Sequence, residues 1–288
     1  NTVNQRYAVP SPCNLFAYQR LSPTQDTLFV TMVVEASAAM TGQIAATVAV
    51  IEKHIHFNSP PGSNGEKDFY NVMKKLLPSR SGQMLPTPMS AGDYFILESY
   101  WVLANVYNIN ELSLVGYVQN TITKEILQSC NLTPGNYTGL YANDAELVSL
   151  PNMTDRYCNE TLEPVVKIRN NGNNTVSTLD INYRINEGEI HSYTFTGSLS
   201  PLQSVEIQLP ETGYGLQDEN NLSVWISSLN GVADDYNRND TIVHDFAKAL
   251  QASRSVLVKV RTDNNPHETT WEIKNMAGEV VASGGPYT

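Results

Sequence analysis

Glu52, His54 and His56 stand two residues apart in Ile51-Glu52-Lys53-His54-Ile55-His56. On a strand alternate side chains share a face, and two imidazoles with a carboxylate form a donor set suited to zinc. An exposed polar strand face accounts for the same residues, and nothing in the sequence identifies an outer partner to orient either imidazole. A second donor-rich stretch lies in 234–240, where Asp234, Asp235, Asn237, Asn239 and Asp240 offer hard oxygens to calcium. It lacks the glycine and closing glutamate of an EF-hand loop, and turn-capping side chains explain it without an ion. The expectation is therefore no metal and no cofactor, with calcium at this loop as the alternative.

Gly62-Ser63-Asn64-Gly65-Glu66-Lys67 has glycines like a phosphate loop, but at the wrong spacing and without the Lys-Ser or Lys-Thr that must follow. The sequence has no Gly-x-Ser-x-Gly elbow, no His-Glu-x-x-His pattern and no cysteine with a histidine suited to activate it. The chain reads as non-enzymatic, with no catalytic residue. Of its three cysteines, Cys130 and Cys158 could close one loop near a domain junction, leaving Cys13 alone; buried free thiols are the other reading.

The elements that must position these groups are strands. Val165-Val166-Lys167-Ile168-Arg169-Asn170-Asn171-Gly172 and Thr178-Leu179-Asp180-Ile181-Asn182-Tyr183-Arg184-Ile185-Asn186-Glu187-Gly188-Glu189 alternate apolar and polar residues and read as two strands joined through an Asn-Gly turn. That pattern marks an immunoglobulin-like β-sandwich. Further strands are expected at 26–35, 45–55, 94–106, 112–119, 222–227 and 241–246, the first two as neighbours. Phe69, Val72, Met73 and Leu76 fall at helical spacing and predict one helix over 66–77, ended by Pro78. Trp225 is expected in the core or at a domain contact. The tail alternates at Val256, Val258 and Val260 and again around Trp271 and Val280, which predicts three strands too few to fold alone. The fold class is thus mainly β, with tandem immunoglobulin-like sandwiches, divided as residues 1–141, 142–249 and a linker with opening strands at 250–288.

A net charge of -11 and pI near 4.9 disfavour nucleic acid and anionic membrane surfaces as partners. No apolar run reaches the roughly 18 residues of a spanning helix; the stretch 36–51 is interrupted by Thr41, Gly42 and Gln43. The chain reads as an interior piece of a secreted precursor, the rest of which is expected at both ends. Sequons at Asn131, Asn136, Asn152, Asn159 and Asn221 would be glycan sites in a eukaryotic ectodomain.

Two blocks of the first region, Val48-Ala49-Val50-Ile51-Glu52-Lys53-His54-Ile55 with Pro61 to Met73 and Leu112-Ser113-Leu114-Val115-Gly116-Tyr117-Val118-Gln119-Asn120 with Thr123 to Gln128, carry a resemblance. They are similar to the β-rich part of the outer-membrane-protein-28-related family of Bacteroidota. The family's thioredoxin-like domain is not matched, so its redox chemistry is not carried over. The second region, through Pro164 to Gly172, Thr196-Gly197-Ser198-Leu199 and Asp234 to Asp240, resembles bacterial cell-adhesion-related immunoglobulin-like repeats. The combination resembles cargo of type IX secretion. It implies an extracellular or outer-membrane-surface protein whose sandwiches act as spacers and interaction modules, with a protein or glycan partner. Asp26-Thr27-Leu28 and Asp240-Thr241-Ile242 then resemble the acceptor motif for O-glycosylation at Thr27 and Thr241. A second functional reading is the accessory, non-catalytic portion of a large secreted hydrolase whose catalytic domain lies outside this chain.

Overall fold

The computed structural model describes residues 8–249 and 257–288, and these are β throughout, with two three-residue 3-10 turns and no α-helix. The first sandwich is built from β1 (Cys13–Leu21), β2 (Thr27–Ala36), β3 (Ile44–His56), β4 (Asp68–Leu77), β5 (Gln83–Met84), β6 (Tyr94–Val102), β7 (Leu112–Asn120), β8 (Ile126–Asn131) and β9 (Thr133–Pro134). One sheet has the order β6-β2-β1-β9 and the other β4-β3-β7-β8, with β5 paired to β3. Leu28, Val30, Met32 and Val34 alternate inward and meet Val48, Val50, Leu114 and Val118 in one core.

The strands expected to be neighbours, β2 and β3, therefore face each other from opposite sheets. The connection between them is too long for a two-residue hairpin; it turns at Gly42 (φ 88°) and is held by a bridge between Met40 and Met89. The helix expected over 66–77 is instead β4, paired antiparallel to β3. Helical spacing arose from an irregular strand: Asn71 has φ 51°, and a register slip opposite Val50 and Ile51 leaves Lys74 as the extra residue. A bulge moves the apolar side by one residue, which imitates a helical period.

The second sandwich comprises β10 (Ala145–Ser149), β11 (Arg156–Tyr157), β12 (Thr161–Leu162), β13 (Val165–Asn170), β14 (Val176–Ile185), β15 (His191–Leu199), β16 (Ser204–Gln208), β17 (Thr212–Gly213), β18 (Glu219–Leu229) and β19 (Thr241–Lys248). Its sheets run β10-β13-β16 and β11-β19-β18-β14-β15 around a separate core that includes Val166, Ile168, Ile181, Tyr183, Leu222 and Val224. β13 and β14 are not a hairpin but cross from one sheet to the other. Gly172 has no positive φ; a Cβ there would lie 2.7 Å from the Asp144 nitrogen and 2.8 Å from the Ala142 oxygen, so close backbone approach requires the glycine. The hairpin is β14 with β15, turned at Asn186 (φ 54°). Trp225 is half-buried while Val224 and Ile226 are buried, the reverse of the expected phase. An alternating strand must choose between one tryptophan and its two β-branched neighbours, and here the neighbours face the core.

In the tail, β20 (Trp271–Lys274) and β21 (Val280–Gly284) form a hairpin. The strand expected around Val258 is not formed over 257–260, where no sheet offers it a partner, and Val256 lies outside the described residues. Among the described residues no helix is long and apolar enough to cross a membrane.

Gly116 on β7 tests the packing between the two sheets, since a Cβ there would lie 2.6 Å from Sδ of the fully buried Met32. Gly116→Ala is expected to cost about 1–3 kcal/mol in denaturant unfolding through overpacking. A loss below about 0.5 kcal/mol would show that the sheets have slack at this point.

Candidate functional site at the domain junction

The face of β2 and β6 turned away from the first core should be solvated, yet Val33 and Ile96, paired across these strands, are buried. The second sandwich meets this face beside Ile96, where Glu146, Arg169, Asn171, Tyr236 and Asn239 gather. Its anchor is a polar knot. The Tyr94 hydroxyl donates to Asp144 Oδ2 at 2.6 Å and accepts from Asn171 Nδ2 at 2.9 Å and Asn239 Nδ2 at 3.1 Å. Asn239 Nδ2 also reaches Asp144 Oδ1 at 3.0 Å. Around the knot Tyr141 stacks on Tyr236 at 5.4 Å, Arg238 pairs with Asp93 at 2.5 Å, and Arg169 pairs with Glu98.

The acidic stretch 234–240 is part of this clasp. Asp234 accepts from the backbone of Ala145 (2.8 Å) and Tyr236 (2.7 Å), and Asp235 accepts from the backbone of Asn143 (2.8 Å). These oxygens, which the sequence offered to calcium, hold the chain that enters the second sandwich; Asn237 is exposed. Asp234 and Asp240 are buried close together, and burial raises the pKa of both. Burial and then the neighbouring Asp234 charge push Asp240 up to about 8, and burial pushes Asp144 up to about 6. No local spacing signals this cluster, because the partners of the Tyr94 hydroxyl lie 50, 77 and 145 residues from it.

Beside the covered part of the same face, the sheet stays open as a groove of about 660 Å³. Its floor is a grid of cross-strand neighbours, with Arg20, Phe29 and Tyr100 in one row and Tyr18, Thr31 and Glu98 in the next. Arg20 lies 4.2 Å over the Phe29 ring, and Phe29 and Tyr100 are 6.3 Å apart. Tyr137, edge-on to Tyr18 at 6.1 Å, forms one wall, and Leu202 and Gln203 of the second sandwich form the other. Alternation along β1, β2 and β6 could have revealed these outward aromatics, but not that a second domain walls them in.

The structure divides the Glu52, His54 and His56 set. Glu52 is buried and accepts from the backbone of Tyr107 (2.9 Å) and Asn108 (2.5 Å), with Lys74 Nζ at 3.2 Å. His54 and His56 instead converge on Asp68 across the β3–β4 ladder. Gly62 to Lys67 belong to the hairpin loop before β4 and do not open a helix. Thr241 is exposed at the start of β19, and Thr27 is half-buried with its hydroxyl donating to Asp26 at 2.9 Å. The three cysteines are free. Cys130 lies opposite Gly116 in the first sandwich, while Cys158 follows β11 in the second, so the expected Cys130–Cys158 bridge does not form.

No family model and no curated protein matches the sequence. Among solved structures the chain is similar to the CARDB domain of a Pyrococcus furiosus protein, at 18% identity and TM-score 0.32 over 40% of this chain and all of that one. It is also similar to a domain of the outer membrane lipoprotein Omp28 from Porphyromonas gingivalis, at 12% identity and TM-score 0.31 over 44% of this chain and 92% of that one. A red sea bream transglutaminase matches at 7% identity and TM-score 0.27 over 86% of this chain and 33% of its own. At these values the likenesses assign neither a family nor a function.

The raised carboxyls make the junction pH-sensitive. Their folded pKa values lie above the unfolded value of about 3.9, so the stability they contribute is complete below about pH 4 and is lost as pH rises through about 6 and then 8. Urea unfolding at pH 5 and pH 8 should show lower stability at pH 8, and Asp240→Asn should recover about 1–2 kcal/mol at pH 8 while flattening the slope. Equal pH slopes in the variant and the wild type would exclude Asp240 as the source.

Proposed function

We propose that this chain is a non-catalytic interaction module of the cell surface or extracellular space, and that its junction groove binds a glycan. The aromatic floor beside polar groups carries this reading. The exposed ring of Tyr100 suits the apolar face of a sugar ring, with Phe29 under the Arg20 guanidinium beside it, while Asn136 and Gln203 are placed to bond hydroxyls. Glu98, the one carboxylate among the lining residues, is paired with Arg169. Glycoside hydrolysis normally needs two carboxylates across the scissile bond, so this lining favours binding over cleavage. The acidic surface and the sandwich pair fit a spacer that displays a site away from its anchorage. A protein ligand is the competing occupant.

Glycan-array screening followed by calorimetry on the best ligand tests the assignment. Tyr100 is 66% exposed, so Tyr100→Ala should weaken binding at least about tenfold while changing stability by under about 1 kcal/mol. Absence of any glycan ligand, or equal affinity in the variant, would overturn the reading.

A further inference from the structure

At the far end of the first sandwich, β3 and β4 run on past the core as a hairpin. Its inner face carries Glu52, His54 and His56 in a row, opposite Val72, Tyr70 and Asp68. Glu52, held by the backbone of Tyr107 and Asn108, is the last buried residue of this row. Beyond it His54 Nε2 and His56 Nδ1 both lie 2.8 Å from the same oxygen, Asp68 Oδ1. The three donor atoms lie within 4.8 Å of one another, and Tyr70 stacks on the His54 ring at 4.9 Å and 12°, which fixes its plane.

We propose that His54, His56 and Asp68 form a mononuclear site for a zinc-class divalent cation, with the remaining coordination position open to solvent. Two imidazoles and a carboxylate match the borderline character of zinc and leave a three-ligand site. Zinc–ligand bonds of about 2.0–2.1 Å in a tetrahedron separate the donors by roughly 3.3 Å, so each imidazole retreats from the Asp68 oxygen by about half an ångström while the two ring nitrogens, now within 4.8 Å of each other, draw together through rotation of their half-exposed side chains. Cross-strand pairing sets the spacing: His56 and Asp68 are direct partners and His54 is the diagonal neighbour, so the backbone ladder holds the donors together before any ion arrives. The side chains are about half exposed, which gives the ion free entry and leaves its open position accessible to a donor from another molecule. This site is independent of the groove.

Zinc chloride titrated into the whole chain by calorimetry, with imidazole resonances followed by NMR, tests the proposal. The expected result is one equivalent bound in the micromolar range, with the His54 and His56 signals shifting and those of His191, His244 and His267 unmoved. His56→Gln and Asp68→Asn should each weaken binding at least about tenfold, and His244→Gln should not. Cobalt substitution should give visible bands of tetrahedral intensity that are lost in His56→Gln. Zinc binding that persists undiminished in His56→Gln and Asp68→Asn, or shifts confined to the other histidines, would overturn the site, as would no stoichiometric binding by the wild type. Because the NMR arm uses the unmodified chain, misfolding of a variant cannot rescue or sink the result.

Discussion

The arrangement of this molecule depends on one hydrogen bond, from the Tyr94 hydroxyl to the buried Asp144 carboxylate. Asp144 is the first turn of chain into the second sandwich and Tyr94 begins β6 of the first, so the bond fixes one domain upon the other. Taking a carboxylate out of water is costly unless donors meet it. Tyr94 and Asn239 supply them, and Asn171 braces the tyrosine from behind. The groove wall formed by Leu202 and Gln203 follows from that placement. A few degrees of swing would move Leu202 and Gln203 away from the floor laid by β1, β2 and β6.

Much of the fold was legible in the sequence because pleated strands write their faces with period two. The runs at Leu28 to Val34 and Leu222 to Ile226 show it directly. What escaped was what period two cannot encode. Alternation says that a residue has an inner side but not which sheet it belongs to, so it does not distinguish paired strands from β2 and β3 or β13 and β14, which lie in opposite sheets. Nor does it survive a bulge: the extra residue Lys74 turned β4 into an apparent helix. Gly172 is required not by a tight turn but by steric closeness to Ala142 and Asp144, which leaves no room for a side chain.

The donor set shows the same division. His54 and His56 could be found from spacing alone, because neighbours on one strand are written next to each other. Asp68 could not, since only the β3–β4 register brings it opposite His56. Glu52 looked equivalent to the histidines along the strand, but burial separates them: at its position the backbone amides of Tyr107 and Asn108 need an acceptor, and at theirs the sheet is open to water. The acidic loop makes the complementary point. Its carboxylates looked like free ligands, and three-dimensional closure of the 142–145 segment gives them backbone amides to hold.

The two hydrophobic cores share no side chain. That separation bears on how the chain is made. During synthesis the first sandwich has all its core residues once Leu132 has emerged, and so can condense while Asp144 and everything beyond it are still being added. Until the second sandwich closes, the part of β6 around Tyr94 and Ile96 lacks its cover, and the docking waits on residues 234–240, which are nearly the last of the second sandwich to arrive. The newborn first sandwich therefore carries its docking face bare for as long as it takes to synthesise and fold a whole further domain, and in that interval the Tyr94 hydroxyl and Ile96 face water or a neighbouring chain instead of the second sandwich.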